Sequence, residues 1–290
     1  MIRSKGQKIG DVIIILICVF LILICIIPVI NIAARSLSSA DALIKNQVGL
    51  WPVGFTIQPY ADVLSLSKYT YSLGYTAVLT VVGTVLSLIM TMLLAFPLTY
   101  DNLPGRKFFN ALALITMYFG AGTIPNYLLV KELGMLNKPI ALILPYCLSI
   151  FNMILMRSFF YGIPLSMREA AEIDGAGPLK VLTRVYMPMS KPVFATLALF
   201  YAVGRWNGYT DAILYVSQNE KAWPIQLLLY NLLNNSSSLE IGQQEGFVMP
   251  GKAESVKAAT VMFATIPILI IYPWLQRYFI AGVTLGAVKE

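Results

Sequence analysis

Long apolar runs separated by short polar flanks set the pattern of this chain. The first, "DVIIILICVFLILICIIPVINIAAR", runs from Asp11 to Arg35. A helix needs about 20 such residues to cross the hydrocarbon of a bilayer. Runs of that length fall at residues 12–34, 72–98, 108–130, 139–160, 191–216 and 257–280, and they predict six transmembrane helices in an all-α membrane protein. The first run is too long for the apolar core of a secretory signal, and no convincing small-x-small site follows it, so it is expected to stay as a span. In the second run, Gly83 and Ser87 form a small-xxx-small pair that lets helices approach closely. The third is interrupted about two-thirds of the way along by "YFGAGTIPNY", where Gly120, Gly122 and Pro125 weaken a helix. An ordinary proline kink and a true break lining a cavity are both open there.

Composition agrees with a bilayer as the solvent. Of 290 residues, 58% are hydrophobic and 12% charged, where a soluble domain carries about 25% charged residues. The net charge of +7 is spread over short loops and forms no stripe, so nucleic acid is not an expected partner. Cys18, Cys25 and Cys147 show no pairing or metal spacing and read as small buried hydrophobes. The chain has no histidine, which removes Ser-His-Asp chemistry, histidine-ligated metal and a histidine base. Together with the lack of any G-x-S-x-G motif, this makes an intramembrane enzyme an unfavoured reading. Nor is there a G-x-x-x-x-G-K-[ST] phosphate loop, so any ATP used would be bound by another chain.

Charge in the flanks gives orientation. Arg3, Lys5, Lys8, Arg106, Lys107, Arg157, Arg168, Lys180, Arg184, Lys191, Arg277 and Lys289 fall on one side. Arg35, Lys45, Lys68, Lys131, Lys138, Lys221, Lys252 and Lys257 fall on the other. The bias is moderate and favours both termini in the cytoplasm. Residues 1–71 then form a tail, the first span and an external segment, and residues 72–290 the core. A second external loop, 217–256, holds a short amphipathic helix at about 224–233 and a flexible Asn/Ser tract. Loops of that length suit binding better than mere connection.

A dense polar island, "SMREAAEIDGAGPLKVLTRVYMPMSKP", lies between the fourth and fifth runs. Ser166 and Glu169 have the spacing of a capping box, which starts a helix over 167–174. Gly175 suits the left-handed turn after it. Pro178 suits the first position of a second helix, 178–187, and Pro188 is expected to stop it. Physically the island is either a solvated loop or a helix-turn-helix that docks on a partner.

The spacing of Glu169-Ala170-Ala171, Gly175 and Val185-Tyr186-Met187-Pro188 resembles the signature loop of the permease subunits of ABC importers, with Val185 and Met187 as conservative departures. "FGAGTIPNYLLVKELGMLNKPIALILP", "GRWNGYTDAILYV" and "QRYFIAGVTLGAVKE" resemble carbohydrate-uptake permeases of the maltose-transporter type, and most of all those importing acidic oligosaccharides such as pectin or alginate fragments. The resemblance covers about residues 70–290. It implies a type I ABC importer permease fold in the bacterial cytoplasmic membrane, with 165–189 as the cytoplasmic coupling loop. Glu169, Ala170, Ala171, Asp174, Gly175 and Pro188 would make or position the ATPase contact. It also implies a second permease subunit and two cytoplasmic ATPases that carry the ATP and Mg. An extracytoplasmic solute-binding protein would dock on 217–256, and the tail from Gly282 to Glu290 would lie near the ATPases. This chain itself would bind no cofactor and catalyse nothing.

A sugar path needs hydrogen-bonding side chains and aromatic faces. Arg205, Trp206, Asn207, Tyr209 and Asp211 cluster in the fifth run; Tyr118, Asn126 and Tyr127 on the third and Asn152 on the fourth are weaker candidates. Arg205 suits a sugar carboxylate, an ion pair with Asp211 or a carboxylate of the second subunit. The rival class is a secondary transporter driven by an ion gradient. It calls for inverted repeats and mid-membrane acids, and the sequence offers no repeat and only Asp211.

Overall fold

The computed structural model describes the backbone of residues 5–234 and 250–287, and side chains from 10 to 234 and from 251 to 273. All regular elements among them are helical. The chain divides into two compact units, Met1–Thr70 with Leu229–Ile266, and Tyr71–Leu228 with Pro267–Glu290.

The first unit holds α1 (Lys5–Ser36), α2 (Ala40–Ile44), α3 (Gln58–Ser65) and the start of the final long helix. The Gly10–Ser36 stretch of α1 is long and apolar enough to cross a membrane and buries none of its apolar core within the chain. Cys18 and Cys25 on it are therefore exposed, contrary to expectation, and only Cys147 is buried. A lipid-facing helix keeps apolar side chains content without protein neighbours. Around its end the segment 36–66 is stapled by polar contacts. Ser36 Oγ meets Tyr60 Oη at 2.8 Å, and Ser38 Oγ accepts the Val53 N–H at 3.0 Å. Arg35 pairs with Glu254, and Lys252 with Asp62 at 3.3 Å. At Gly251 a Cβ would stand 2.3 Å from the Ala40 carbonyl oxygen. Only glycine permits that approach.

In the second unit lies most of α4 (Ser67–Ala95), which continues into a 3-10 turn, Pro97–Thr99. Its buried positions Ser72, Thr76, Thr80, Thr84, Ser87 and Thr91 recur every three or four residues, so one face is small and polar. Then come α5 (Arg106–Tyr118), α6 (Thr123–Glu132), 3-10 turns at Pro139–Leu142 and Leu144–Tyr146, and α7 (Ile150–Tyr161). The island supplies α8 (Leu165–Ile173), α9 (Pro178–Val181), a wide π turn (Leu182–Tyr186) and α10 (Met187–Met189). After them stand α11 (Lys191–Asn207), α12 (Thr210–Tyr215), the first turn of α13 (Ile225–Asn234), which passes into the first unit at Leu229, and the end of α14 (Pro250–Ala287), which returns from that unit at Pro267. One core cluster gathers Phe96, Met153, Met156, Phe160, Leu182 and Tyr186, and another Leu142, Tyr215 and Leu227.

Three expected spans are continuous helices long and apolar enough to cross: Gly10–Ser36, Ser67–Thr99 and Gly251–Pro273. The other three are broken. α5 and α6 meet at 114°, too sharp for a proline kink, and the turn is made where Gly122 has φ +90°. Pro125 sits in the first turn of α6, where its missing N–H has no helical partner to lose. The run 139–160 is 3-10 in its first half and bends by 50° before α7. The run 191–216 stops being helical at Gly208 and Tyr209.

The island differs in two details. α8 begins at Leu165 after Pro164, so Ser166 lies inside the helix and the capping box is not formed. Pro164 sets the start because its own carbonyl accepts the Met167 N–H at 3.1 Å. Pro188 does not stop the second helix. It lies within α10, and the π turn before it widens the backbone where its ring would meet the preceding turn. Gly175 is left-handed as expected, at φ +76°, and the N–H groups of Gly175 and Ala176 close a Schellman motif on Glu172 and Ala171. The helix expected at 224–233 is α13, while the Asn/Ser tract and the last residues of the tail lie outside the described residues.

Gly251→Ala is expected to lower stability by about 1–3 kcal/mol, the usual cost of forcing atoms into a filled site. Gly74→Ala, whose Cβ would meet nothing within 4 Å, should not. Thermal unfolding of the two purified variants in detergent checks this.

Candidate functional site

Within the second unit a polar cavity of about 450 Å³ opens beside two of the broken runs. α4 contributes Gly83 and Ser87, and the start of α7 contributes Ser149 and Asn152 with Tyr146 just before it. α11 supplies Phe200, Tyr201, Gly204, Arg205 and Asn207; Gly208, Tyr209, Thr210 and Asp211 complete the wall across the break. Gly83 is midway along the Ser67–Thr99 span, so the cavity lies at its mid-depth.

Arg205 and Asp211 face each other across the 208–209 break. Arg205 Nη1 donates to Asp211 Oδ2 at 2.8 Å, and each side chain is 11% exposed. The guanidinium carbon lies 5.4 Å from the centre of the Tyr146 ring. Arg205 Nε runs 3.6 Å from where a Cβ on Gly83 would be. The small-xxx-small pair on α4 thus admits an arginine side chain. Gly208 has the same role for the acid, since a Cβ there would stand 3.3 Å from Asp211 Oδ1.

Tyr201, one turn before Arg205 on α11, organises the adjoining wall. Its hydroxyl meets Thr91 Oγ1 at 2.6 Å and accepts the Ser149 N–H at 3.2 Å. Ser149 Oγ in turn accepts the Asn152 N–H at 3.3 Å and caps α7. One phenol therefore ties α4, α11 and the break before α7. The result is a cationic group over an aromatic floor, ringed by hydroxyl and amide groups. Such a wall can accept hydroxyl-rich ligands, and its arginine, paired with Asp211 at rest, can be shared with an anion.

The structure brings Arg205, Asn207, Tyr209, Asp211 and Asn152 together around this cavity. Trp206 is turned away and buried. Tyr118 is exposed at the end of α5. Asn126 lines a smaller cavity of about 290 Å³ that shares the Tyr146 wall. Tyr127 stacks on Tyr215, with ring centres 6.4 Å apart. Tyr146, Tyr201, Ser149 and Phe200 were not among the expected residues. For Tyr201 the signal was present: 201, 204, 205 and 208 lie on one helical face. On the island, Glu169, Ala170, Asp174, Gly175 and Pro188 are exposed, while Ala171 is half-buried against the core.

Residues 70–285 match the family described as binding-protein-dependent transport system inner membrane component. The chain belongs to that family. The permease is 38% identical over 268 residues to the polygalacturonan/rhamnogalacturonan transport system permease protein YtcP of Bacillus subtilis (strain 168), covering 92% of this chain and 93% of that one. It is 37% identical over 289 residues to protein LplC of the same organism, covering 99% and 97%. Its fold matches a chain in the crystal structure of a bacterial ABC transporter involved in the import of the acidic polysaccharide alginate. The TM-score is 0.87 at 32% identity, with 96% of this permease and 99% of that chain covered.

The pair in the permease cavity should behave as one unit. Asp211→Asn or Arg205→Gln alone leaves a largely buried charge without its counterion, whereas the double variant removes both charges. A double-mutant cycle on thermal stability is expected to give a coupling of about 1–3 kcal/mol. Additive losses would mean that the two side chains do not meet in the folded protein.

Proposed function

We propose that this permease is the transmembrane subunit of an ATP-driven importer in the bacterial cytoplasmic membrane. It forms half of the path for an acidic oligosaccharide delivered by an extracytoplasmic binding protein. The single observation that carries this reading is Arg205, held at mid-depth of the α4 span over Tyr146 and beside Asp211, in a cavity walled by hydrogen-bonding groups. A charge in that position is costly even when paired, and such charges typically line polar paths. The relatives named for polygalacturonan and alginate point to a ligand that bears carboxylates.

In this reading the chain crosses the membrane six times with both termini in the cytoplasm, counting the broken runs 108–130, 139–160 and 191–216 as one crossing each. The 165–189 segment is the coupling loop. Glu169, Ala170, Asp174, Gly175 and Pro188 present the surface that an ATPase would grip, and Ala171 seats that surface on the core. A second permease subunit completes the path, and two ATPases hold ATP and Mg. The 217–256 loop receives the binding protein. Within the cavity, Arg205 would release Asp211 in part and take a sugar carboxylate, while Asn207, Tyr209 and Asn152 meet hydroxyl groups. An ion-gradient carrier is the weaker reading for a member of a binding-protein-dependent family.

Uptake into vesicles holding the assembled complex tests this. Radiolabelled trigalacturonate should enter only with ATP inside and binding protein outside. Arg205→Gln should reduce the rate about tenfold, on the scale of one charged hydrogen bond. Uptake driven by an ion gradient without ATP, or full uptake by Arg205→Gln, would overturn the reading.

A further inference from the structure

One side chain of the coupling segment points inward. Arg168 sits on α8 immediately before Glu169, yet its side chain is only 16% exposed. Its guanidinium carbon stands 4.3 Å from the centre of the Tyr100 ring. Tyr100 Oη donates to Glu172 Oε1 at 3.2 Å. Glu172, one turn along α8, comes within 3.6 Å of Arg168 Nε. The three side chains close a ring, with two members on α8 and the third just beyond the 3-10 turn that ends the α4 span.

Beneath this ring lies a chain of edge-to-face contacts. Tyr100 meets Phe96 at 5.3 Å between ring centres, Phe96 meets Tyr186 at 5.1 Å, and Tyr186 meets Phe160 at 5.3 Å. Phe96 follows the last residue of α4, Phe160 belongs to α7 and Tyr186 to the wide turn. Edge-to-face packing is the preferred geometry for such rings and leaves little freedom to slide. Ala171 and Ala176 of α8 and its turn also pack on this core, and the Arg168 guanidinium bonds the Tyr186 side chain. α8 itself is only nine residues long. A cation over a ring, joined to a phenol bonded one helical turn away, sets both its tilt and its rotation.

Burial, and then the Glu172 carboxylate, push the Tyr100 phenol up to about 12. The phenol's stabilising bond is thus fully present below its ordinary value near 10 and is lost only as pH climbs through the raised one. It donates throughout the physiological range.

We propose that Arg168, Tyr100 and Glu172 form a positioning latch that holds α8 rigidly on the ends of α4 and α7, so that movement of a partner seated on α8 is delivered to the helices that wall the cavity. The latch rests on the importer reading above. It does not follow from the Glu-Ala-Ala…Gly spacing, which involves neither Tyr100 nor Glu172.

The assembled complex, purified through a tag on this chain and placed in lipid vesicles, is assayed for ATP hydrolysed per trigalacturonate taken up. Tyr100→Ala and Arg168→Leu are expected to raise that ratio about threefold, the scale set by a partly exposed cation–π contact. Tyr100→Phe keeps the ring and Arg168→Lys keeps a cation above it, so both should fall between those variants and wild type. General damage would lower hydrolysis and uptake together and leave the ratio unchanged. A wild-type ratio in Tyr100→Ala and Arg168→Leu, with ATPase still copurifying, overturns the latch. Should those two lose the ATPase, a wild-type ratio in both conservative variants overturns it. Wild-type vesicles without ATP-dependent uptake would instead remove the importer reading and the latch with it.

Discussion

A hydrocarbon interior offers no partner to an unpaired peptide group, and that constraint decides where this chain can stop being helical. It stops within three of its apolar runs, and at each break a backbone N–H finds a partner nearby. Where α5 ends, the Phe119 N–H returns to the Ile115 carbonyl at 2.9 Å. Before α7, the Ser149 N–H finds the Tyr201 hydroxyl and the Ser149 side chain caps the new helix. After α11, the Gly208 N–H reaches the Arg205 carbonyl at 3.2 Å. The second and third of these breaks border the same polar cavity. The cavity and the breaks are one feature: interrupted backbone is tolerated where it meets polar walls, and it brings those walls in.

Charge obeys the same rule. An arginine and an aspartate at membrane depth each lose solvation that their mutual attraction must offset. Here the two are six residues apart in sequence, separated by a break that lets the chain fold back on itself. Glycines at 83 and 208 leave room for both side chains. The pair leaves the cavity near neutrality at rest while keeping a planar donor on its wall. That combination suits a ligand that is polar along its whole length and carries intermittent carboxylates.

Much of this was legible in the sequence because it depends on local rules. Gly175, Pro178 and the spacing to Glu169 follow from backbone conformation, and the structure has them as left-handed turn and helix start. The cluster around Arg205 stood out because charge is rare in an apolar run. The rest depends on contacts distant in sequence. Ser166 has the right spacing for a cap, but Pro164 starts the helix first. Pro188 looks like a stop, yet a π turn absorbs it, and no sequence rule anticipates a wide turn. Tyr201 and Tyr146 are ordinary aromatics in apolar runs until Thr91, Ser149 and Arg205 are placed against them. Trp206 shows the converse, a polar-tipped aromatic beside Arg205 that faces the core.

The most direct measurement asks whether water reaches the breaks. With Cys18, Cys25 and Cys147 replaced, single cysteines are placed at Gly204 and Asn152 on the cavity wall and at Val81 on the exposed apolar face of α4. A charged, membrane-impermeant thiol reagent is then applied to the complex in nanodiscs, where both faces are open. Labelling at 204 and 152, with Val81→Cys protected by lipid, is the result expected of a water-filled polar cavity at membrane depth. If 204 and 152 stay as unreactive as 81, the breaks are sealed protein interior and no sugar path runs through them.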